Sequence, residues 1–219
     1  MAPRGRSGPL GGRPSATTRG HLSGIAIDLF IENGFDETSV DDIAAAAGIA
    51  RRTLFRYYPS KNSLAWGEFD DHLDGLRGLL NDADGTGTLG TELRDAIVAF
   101  NQVPESEREH HRRRMHLLLT VPALQAHSML MYADWRQVIA EHVARRLGVA
   151  PSDHAPQTIA WMALGVALAA YDQWLRRPDA DLEELLRSGS ELLIEAADAA
   201  ASQGAEQPLR ATTGSTTRS

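Results

Sequence analysis

Apolar side chains recur at helical spacing through most of this 219-residue chain. β-Branched residues nowhere alternate with polar ones over a useful length, so strands are not expected. A first helix is predicted over 18–33, with Leu22, Ile25, Ala26, Leu29 and Phe30 on one face. Gly34 follows its last turn, a common stop signal. Ser39 then caps a second helix, and Asp42 completes a capping box; Val40, Ile43, Ala44 and Ala47 form the inner face. Gly48 permits a tight turn. A third, short helix opens at Ala50 or Arg51 and ends before Pro59. The stripe Leu64, Trp66, Phe69, Leu73, Leu76, Leu80 predicts one continuous fourth helix over 60–80. After a glycine-rich break at 82–90, further helices are expected over 89–101, 106–120, 123–147, 154–176 and 181–201. The chain is thus expected to be all-α, with nine helices.

Composition changes that picture at the edges. Residues 1–16 are rich in Gly, Pro, Arg and Ser, and 203–219 are polar and of low complexity; both are expected to be disordered. With 42% hydrophobic residues the remainder can bury a core. There is no cysteine, which excludes disulfides, thiolate metal sites and cysteine nucleophiles. The longest apolar run, 159–171, falls well short of the roughly 20 residues that span a bilayer. No apolar stretch follows the N-terminal arginines before Gly20, so no signal peptide is expected.

The net charge of −7 argues against a polyanionic partner, but its distribution argues the reverse. Residues 1–65 hold eight basic side chains and six acidic ones, net +2; the remainder holds 14 and 23, net −9. Only the first segment approaches a polyanion without strong repulsion. Within it, 34–61 reads as two short helices around a glycine turn, the second of them basic. A short basic helix braced by a neighbour is a device for entering the DNA major groove.

The pattern of that stretch is Gly34-Phe35, Thr38-Ser39-Val40, Ile43-Ala44, Ala47-Gly48-Ile49, an aromatic cluster, and Pro59-Ser60-Lys61. It resembles, without a gap, the DNA-binding motif of TetR-family transcriptional regulators. The run from Ile49 through the fourth predicted helix is also similar to regulators of the mycofactocin system, an actinobacterial branch of that family. The resemblance implies an N-terminal three-helix, helix-turn-helix DNA-binding domain over 17–63. It further implies a C-terminal helical ligand-binding and dimerisation domain over 64–202. A repressor that binds an inverted-repeat operator as a homodimer, works in the cytoplasm and needs no cofactor would follow.

Residue roles can be assigned on that footing. Arg51, Arg52 and Thr53 occupy the end of the third helix that meets base edges; an arginine there can bond guanine O6 and N7 together. Arg56 adds charge. Ser39 and Lys61 suit phosphate contacts. Leu54 and Tyr58 face inward. The family commonly has Tyr where this chain has Phe55, so a phosphate-reaching hydroxyl is missing; Tyr57 is the candidate substitute. The arm bearing Arg4, Arg6, Arg13 and Arg19 is either a solubilising tail or a minor-groove extension.

In the body, the helix at 154–176 is apolar around most of its circumference, so it needs partners on opposite faces. Gly165 and Leu168, with Leu185 and Leu193 of the last helix, are the dimer candidates. Met115, Leu119, Met131, Trp135, Trp161, Met162 and Trp174 are large, soft or aromatic, suited either to plain core or to a pocket for a small apolar or acyl effector. His110, His111 and His116 share a helix with Arg112, Arg113 and Arg114. They lack metal-ligand spacing, and the run is expected to be a solvated basic face or a contact for an anionic effector group. No phosphate loop or nucleophile elbow is present, so no metal or catalytic residue is expected. The competing readings are an all-helical enzyme and a small-molecule-binding protein without DNA binding.

Overall fold

A computed structural model describes residues 18–83 and 87–206, the side chains of 203–206 excepted. Among the described residues there are ten α-helices and one 3-10 turn, and no strand. The chain divides into two compact units between Gly67 and Glu68. The predicted segment 1–16, and residues 207–219 of the predicted tail 203–219, lie outside the described residues.

The first unit contains α1 (Arg19–Asn33), α2 (Val40–Ala46), α3 (Arg51–Tyr57) and α4 (Lys61–Trp66). Each short helix carries a local reason to start and stop. Thr18 caps α1 by accepting from the His21 amide, and Gly34, at φ 92°, ends it. The predicted capping box opens α2: Ser39 Oγ accepts from the Asp42 amide at 3.1 Å, and the Asp42 carboxylate accepts from the Ser39 amide at 2.8 Å. Ser60 and Ser63 make a second capping box for α4. Gly48, at φ 66°, supplies the left-handed residue that the α2–α3 turn requires. The core is Leu22, Ala26, Ile27, Phe30, Phe35, Ile43, Ala44, Leu54, Tyr58, Leu64 and Ala65. Each large apolar side chain here stabilises by about 1.5–3 kcal/mol relative to exposure. Ile27 takes the inward place expected of Ile25 and Leu29, which are half-buried. The face of α1 is therefore set by residues 22, 26 and 30 with 23 and 27 beside them.

The continuous fourth helix is not formed. Gly67 adopts φ 62°, ψ −133°, a conformation open to glycine, and separates α4 from α5 (Phe69–Asp82). That break accounts for ten helices against the nine predicted.

The second unit continues with α6 (Leu89–Phe100), a 3-10 turn (Glu105–Glu107), α7 (Arg108–Thr120), α8 (Pro122–Leu147), α9 (His154–Arg176) and α10 (Leu182–Glu206). Pro122 sits in the first turn of α8, where its missing N–H costs nothing. Gly148 closes α8 in the left-handed region. The helix α10 runs past residue 203, where a solvated tail was expected. Helices α6, α8, α9 and α10 pack around Leu93, Ile97, Val138, Ile139, Val143, Ala163, Leu164, Leu186 and Leu193. At Gly90 a Cβ would lie 2.5 Å from the Cα of Ile194, so α6 and α10 approach as closely as backbones can. The Gly90 amide donates to Asp198 at 2.8 Å in the same place. Glu92, 6% exposed at its side chain, takes hydrogen bonds from His142 (3.0 Å) and from Arg146, joining α6 to α8.

Candidate DNA interface and effector cavity

The short helix α3 is held from both sides by polar side chains that bond to main-chain atoms. Tyr58 Oη donates to the Arg19 carbonyl at 2.9 Å, and the Arg19 guanidinium donates to the Tyr57 carbonyl at 3.1 Å. Arg19 is thus the first residue of α1 and a clamp on α3, not a member of a free arm. Ser23 Oγ donates to the Leu64 carbonyl at 2.7 Å, tying α1 to α4. Thr38, buried, donates to the Gly34 carbonyl at 2.8 Å. Leu54 and Tyr58 are buried as expected.

Lys61 does not extend to solvent. Its ammonium donates to the carbonyls of Phe35 (2.7 Å) and Thr38 (3.0 Å) and sits 4.2 Å from the centre of the Phe35 ring. The side chain expected to clamp a phosphate instead closes the α1–α2 turn onto α4. Ser39 is exposed, but its hydroxyl is committed to Asp42, donating to the carboxylate at 2.6 Å. That bonding holds the Asp42 carboxyl below the usual carboxylate range.

What α3 leaves on the surface is cationic. Arg51, Arg52, Phe55 and Arg56 are exposed, and Thr53 and Tyr57 half-buried. Arg51 pairs with Asp41 of α2 at 2.8 Å and lies 5.4 Å from the Phe55 ring centre. Arg56 lies 5.4 Å from the ring of Tyr57. Arg51, Arg52, Thr53, Arg56 and Tyr57 are therefore on one short element, while Ser39 and Lys61 serve the fold. Arg13, with Arg4 and Arg6, lies outside the described residues. Asp41 escaped the sequence reading: ten positions separate it from Arg51, and acids in a first helical turn are ordinary helix chemistry.

The second unit holds a cavity of about 590 Å³ lined by residues that include Val98, Asn101, Arg108, His111, Trp174 and Leu186. Three carboxylates, Glu105, Asp181 and Glu183, also line it. Arg108 lies 3.3 Å from Glu105 and 3.9 Å from Asp181. Tyr171 Oη donates to Asn101 Oδ1 at 2.8 Å, so His111 Nε2, 2.9 Å away, is the donor to Tyr171. The imidazole is neutral: burial first, then Arg114, His110 and His72, push its pKa down to about 4. Burial raises the Tyr171 hydroxyl above its ordinary value. Arg112 stacks on Trp174, 4.4 Å from its ring centre.

Of the expected pocket residues, Trp174 lines this cavity. Met115 and Trp135 are buried core, and Leu119, Met131 and Met162 are half-buried. Trp161 is 50% exposed, with the Arg136 guanidinium 3.6 Å from its ring centre, so it is a surface residue and not a pocket wall. Residues 110–114 of the basic run on α7 are half-buried, with His111 pointing inward, while His116 is exposed. Asn101 and Tyr171 carried no sequence signal, being 70 residues apart.

The helix α9 buries one face, from Ile159 to Trp174, and leaves Trp161 and Gly165 exposed on the other; Leu168 is half-buried. On α10 Leu192 is 72% exposed and Leu185 half-buried. Leu193 is fully buried within its own subunit, because its position on α10 faces the core, so it is not an interface residue. Among the described residues no helix is long and apolar enough to cross a membrane, and no group of three His, Asp or Glu is placed to hold a metal ion.

Comparison with known proteins agrees with this layout. Residues 25–65 match the family described as bacterial regulatory proteins, tetR family, and residues 88–198 match the MftR C-terminal domain. The chain is 55% identical, over 80% of its length and 88% of the relative's, to a Mycobacterium tuberculosis protein named as a mycofactocin biosynthesis transcriptional regulator, MftR. Among solved structures it is similar to Thermus thermophilus FadR in complex with lauroyl-CoA (TM-score 0.54, 24% identity, 82% of this chain and 94% of that one). It is also similar to Bacillus subtilis FadR in complex with stearoyl-CoA (TM-score 0.55, 15% identity, 80% and 97%).

Proposed function

Because this chain belongs to the TetR family of bacterial regulators, in the branch with an MftR C-terminal domain, we propose that it acts in the cytoplasm as a homodimeric repressor. It binds an inverted-repeat operator and releases it when a small apolar or acyl effector occupies the second unit. The relative that is 55% identical supports mycofactocin biosynthesis genes as targets. The observation that carries the reading is the exposed cationic face of α3, displayed by clamps that spend no α3 cation other than Arg51. A seven-residue helix meets base edges first with its leading side chains, and here those are Arg51, Arg52 and Thr53. No part of this description requires catalysis.

Dimerisation is supported by the uncovered face of α9 and α10. Trp161, Gly165, Leu168, Leu185 and Leu192 are apolar or small and at least partly open in the single subunit. A Cβ at Gly165 meets nothing within 4 Å. Gly165→Glu therefore leaves the subunit's own packing intact while placing a charge in the interface. The expected outcome is a folded monomer by sedimentation; an intact dimer would move the interface elsewhere. Two-fold pairing sets two α3 helices on two half-sites.

The effector class draws on the fold: two structures that share it hold acyl-CoA. The cavity beside Trp174 and the Asn101–Tyr171–His111 chain adds polar groups to the recognition. The test is a gel shift with DNA upstream of the neighbouring genes, with lauroyl-CoA and stearoyl-CoA as probes. Retardation on an inverted repeat, reversed by either thioester, is expected. Arg52→Ala should weaken binding by about 1–3 kcal/mol per half-site, the worth of one good base contact, with no change in Tm. Wild-type affinity in that variant would remove Arg52 from the interface.

A further inference from the structure

The exposed side of α3 carries one apolar side chain among its cations. Phe55 is 40% exposed. A lone exposed apolar residue needs no explanation by itself; its companion is what singles it out. Arg51, one helical turn earlier, holds its guanidinium 5.4 Å from the Phe55 ring centre and 2.8 Å from Asp41. The arginine is thus steadied from two directions, and the guanidinium and the aromatic ring lie side by side on one exposed surface.

We propose that Phe55 is a specificity-determining residue that packs on the 5-methyl group of a thymine lying one or two base pairs from the guanine that Arg51 takes. The proposal rests on the reading of the first unit as a DNA reader. Side chains at i and i+4 are separated by about 6 Å along a helix axis. Successive base pairs are about 3.4 Å apart, so the two side chains address neighbouring positions and not distant ones. In the major groove only thymine offers a methyl group, and apolar contact with it separates T from C. A phenyl ring has no hydroxyl with which to bond a phosphate or a base edge. Apolar contact is what Phe55 contributes on that surface.

The experiment uses the full-length protein. Duplexes are enriched from a random library, and each thymine of the enriched half-site is then replaced by deoxyuridine, which removes the methyl alone. Loss of the methyl contact is expected to weaken binding about fourfold at one thymine per half-site, and about sixteenfold with both half-sites changed, on the worth of one buried methyl. Phe55→Ala should show the same loss on the parent duplex and become indifferent to uracil at that position. Its melting temperature should fall little, since the ring is 40% exposed and lies outside the buried core of the first unit. A flat uracil scan in the wild-type protein, or uracil sensitivity that persists in Phe55→Ala, overturns the proposal while leaving the DNA reader standing. A selection that enriches no duplex overturns both.

Discussion

Lys61 and His111 both turn a polar head inward, but what meets them differs between the two units. Lys61 bonds to main-chain carbonyls, those of Phe35 and Thr38. Arg19, Ser23, Thr38 and Tyr58 do likewise. In the first unit polar side chains are spent on the backbone, which positions short helices and leaves the outer face of α3 for an outside partner. In the second unit the links between helices include chains of side chains bonded to one another. His111 meets Tyr171, which meets Asn101, and Glu92 meets His142 and Arg146. Of these, Asn101 and His111 line the cavity, where a ligand can compete for them; Glu92, His142 and Arg146 tie α6 to α8 elsewhere. One unit is built to display, the other to enclose.

The difference can be broken most sharply by acid. His111 is neutral in the folded chain, with a pKa near 4 against an ordinary 6.5. The unfolded chain therefore binds the extra proton first as pH falls. The stability this represents is fully present above about pH 6.5 and is lost toward pH 4, up to about 3 kcal/mol. His111→Gln should lose less in Tm than wild type between pH 7 and pH 4.5. Parallel losses would mean that the imidazole is not held neutral. A somewhat smaller effect is expected at Gly90, where the Cβ of Gly90→Ala would strike the Ile194 backbone. Overpacking of that kind costs about 1–3 kcal/mol, more than the roughly 1 kcal/mol gained in helix propensity. A denaturant midpoint equal to wild type would show that α6 and α10 separate freely. The smallest effect sharpens the comparison from the other side. Lys61→Met should lower stability by about 1.5 kcal/mol, because two carbonyls lose a charged donor. It should leave the salt slope of DNA binding unchanged, whereas loss of a phosphate contact lowers that slope by about one. A shallower slope would return Lys61 to the interface.

The first unit was legible because its signals are local. Gly34, the Ser39–Asp42 box, Gly48 and Pro59 each act within three or four residues, and each marks a boundary the structure keeps. The inward bonding of Lys61 was hidden for a related reason: every residue carries a carbonyl, so nothing in the sequence marks two of them as its partners. The break at Gly67 was hidden because Trp66, Phe69, Leu73 and Leu76 keep helical spacing across it, and a positive φ leaves no trace in that pattern. In the second unit, helix positions followed from periodicity, and the burial of Trp174 fits its apolar surroundings. The link from Asn101 to Tyr171 and His111 spans three helices, and the arginines after His111 made its helix look solvated. Interior polar chains of this kind are set by packing, which periodicity does not encode.

The pairing of Arg51 with Asp41 bears on how a search along a chromosome proceeds. Both groups are more than half open to solvent, so their attraction is worth at most about 1 kcal/mol and is easily exchanged. A guanidinium that already has a companion gains little from any passing phosphate. It gains fully where a guanine edge offers two acceptors in the right plane. On the reading proposed for α3, the acid therefore weakens the hold of Arg51 on any passing phosphate, and a guanine edge displaces it more readily, which shortens the stay at wrong sequences.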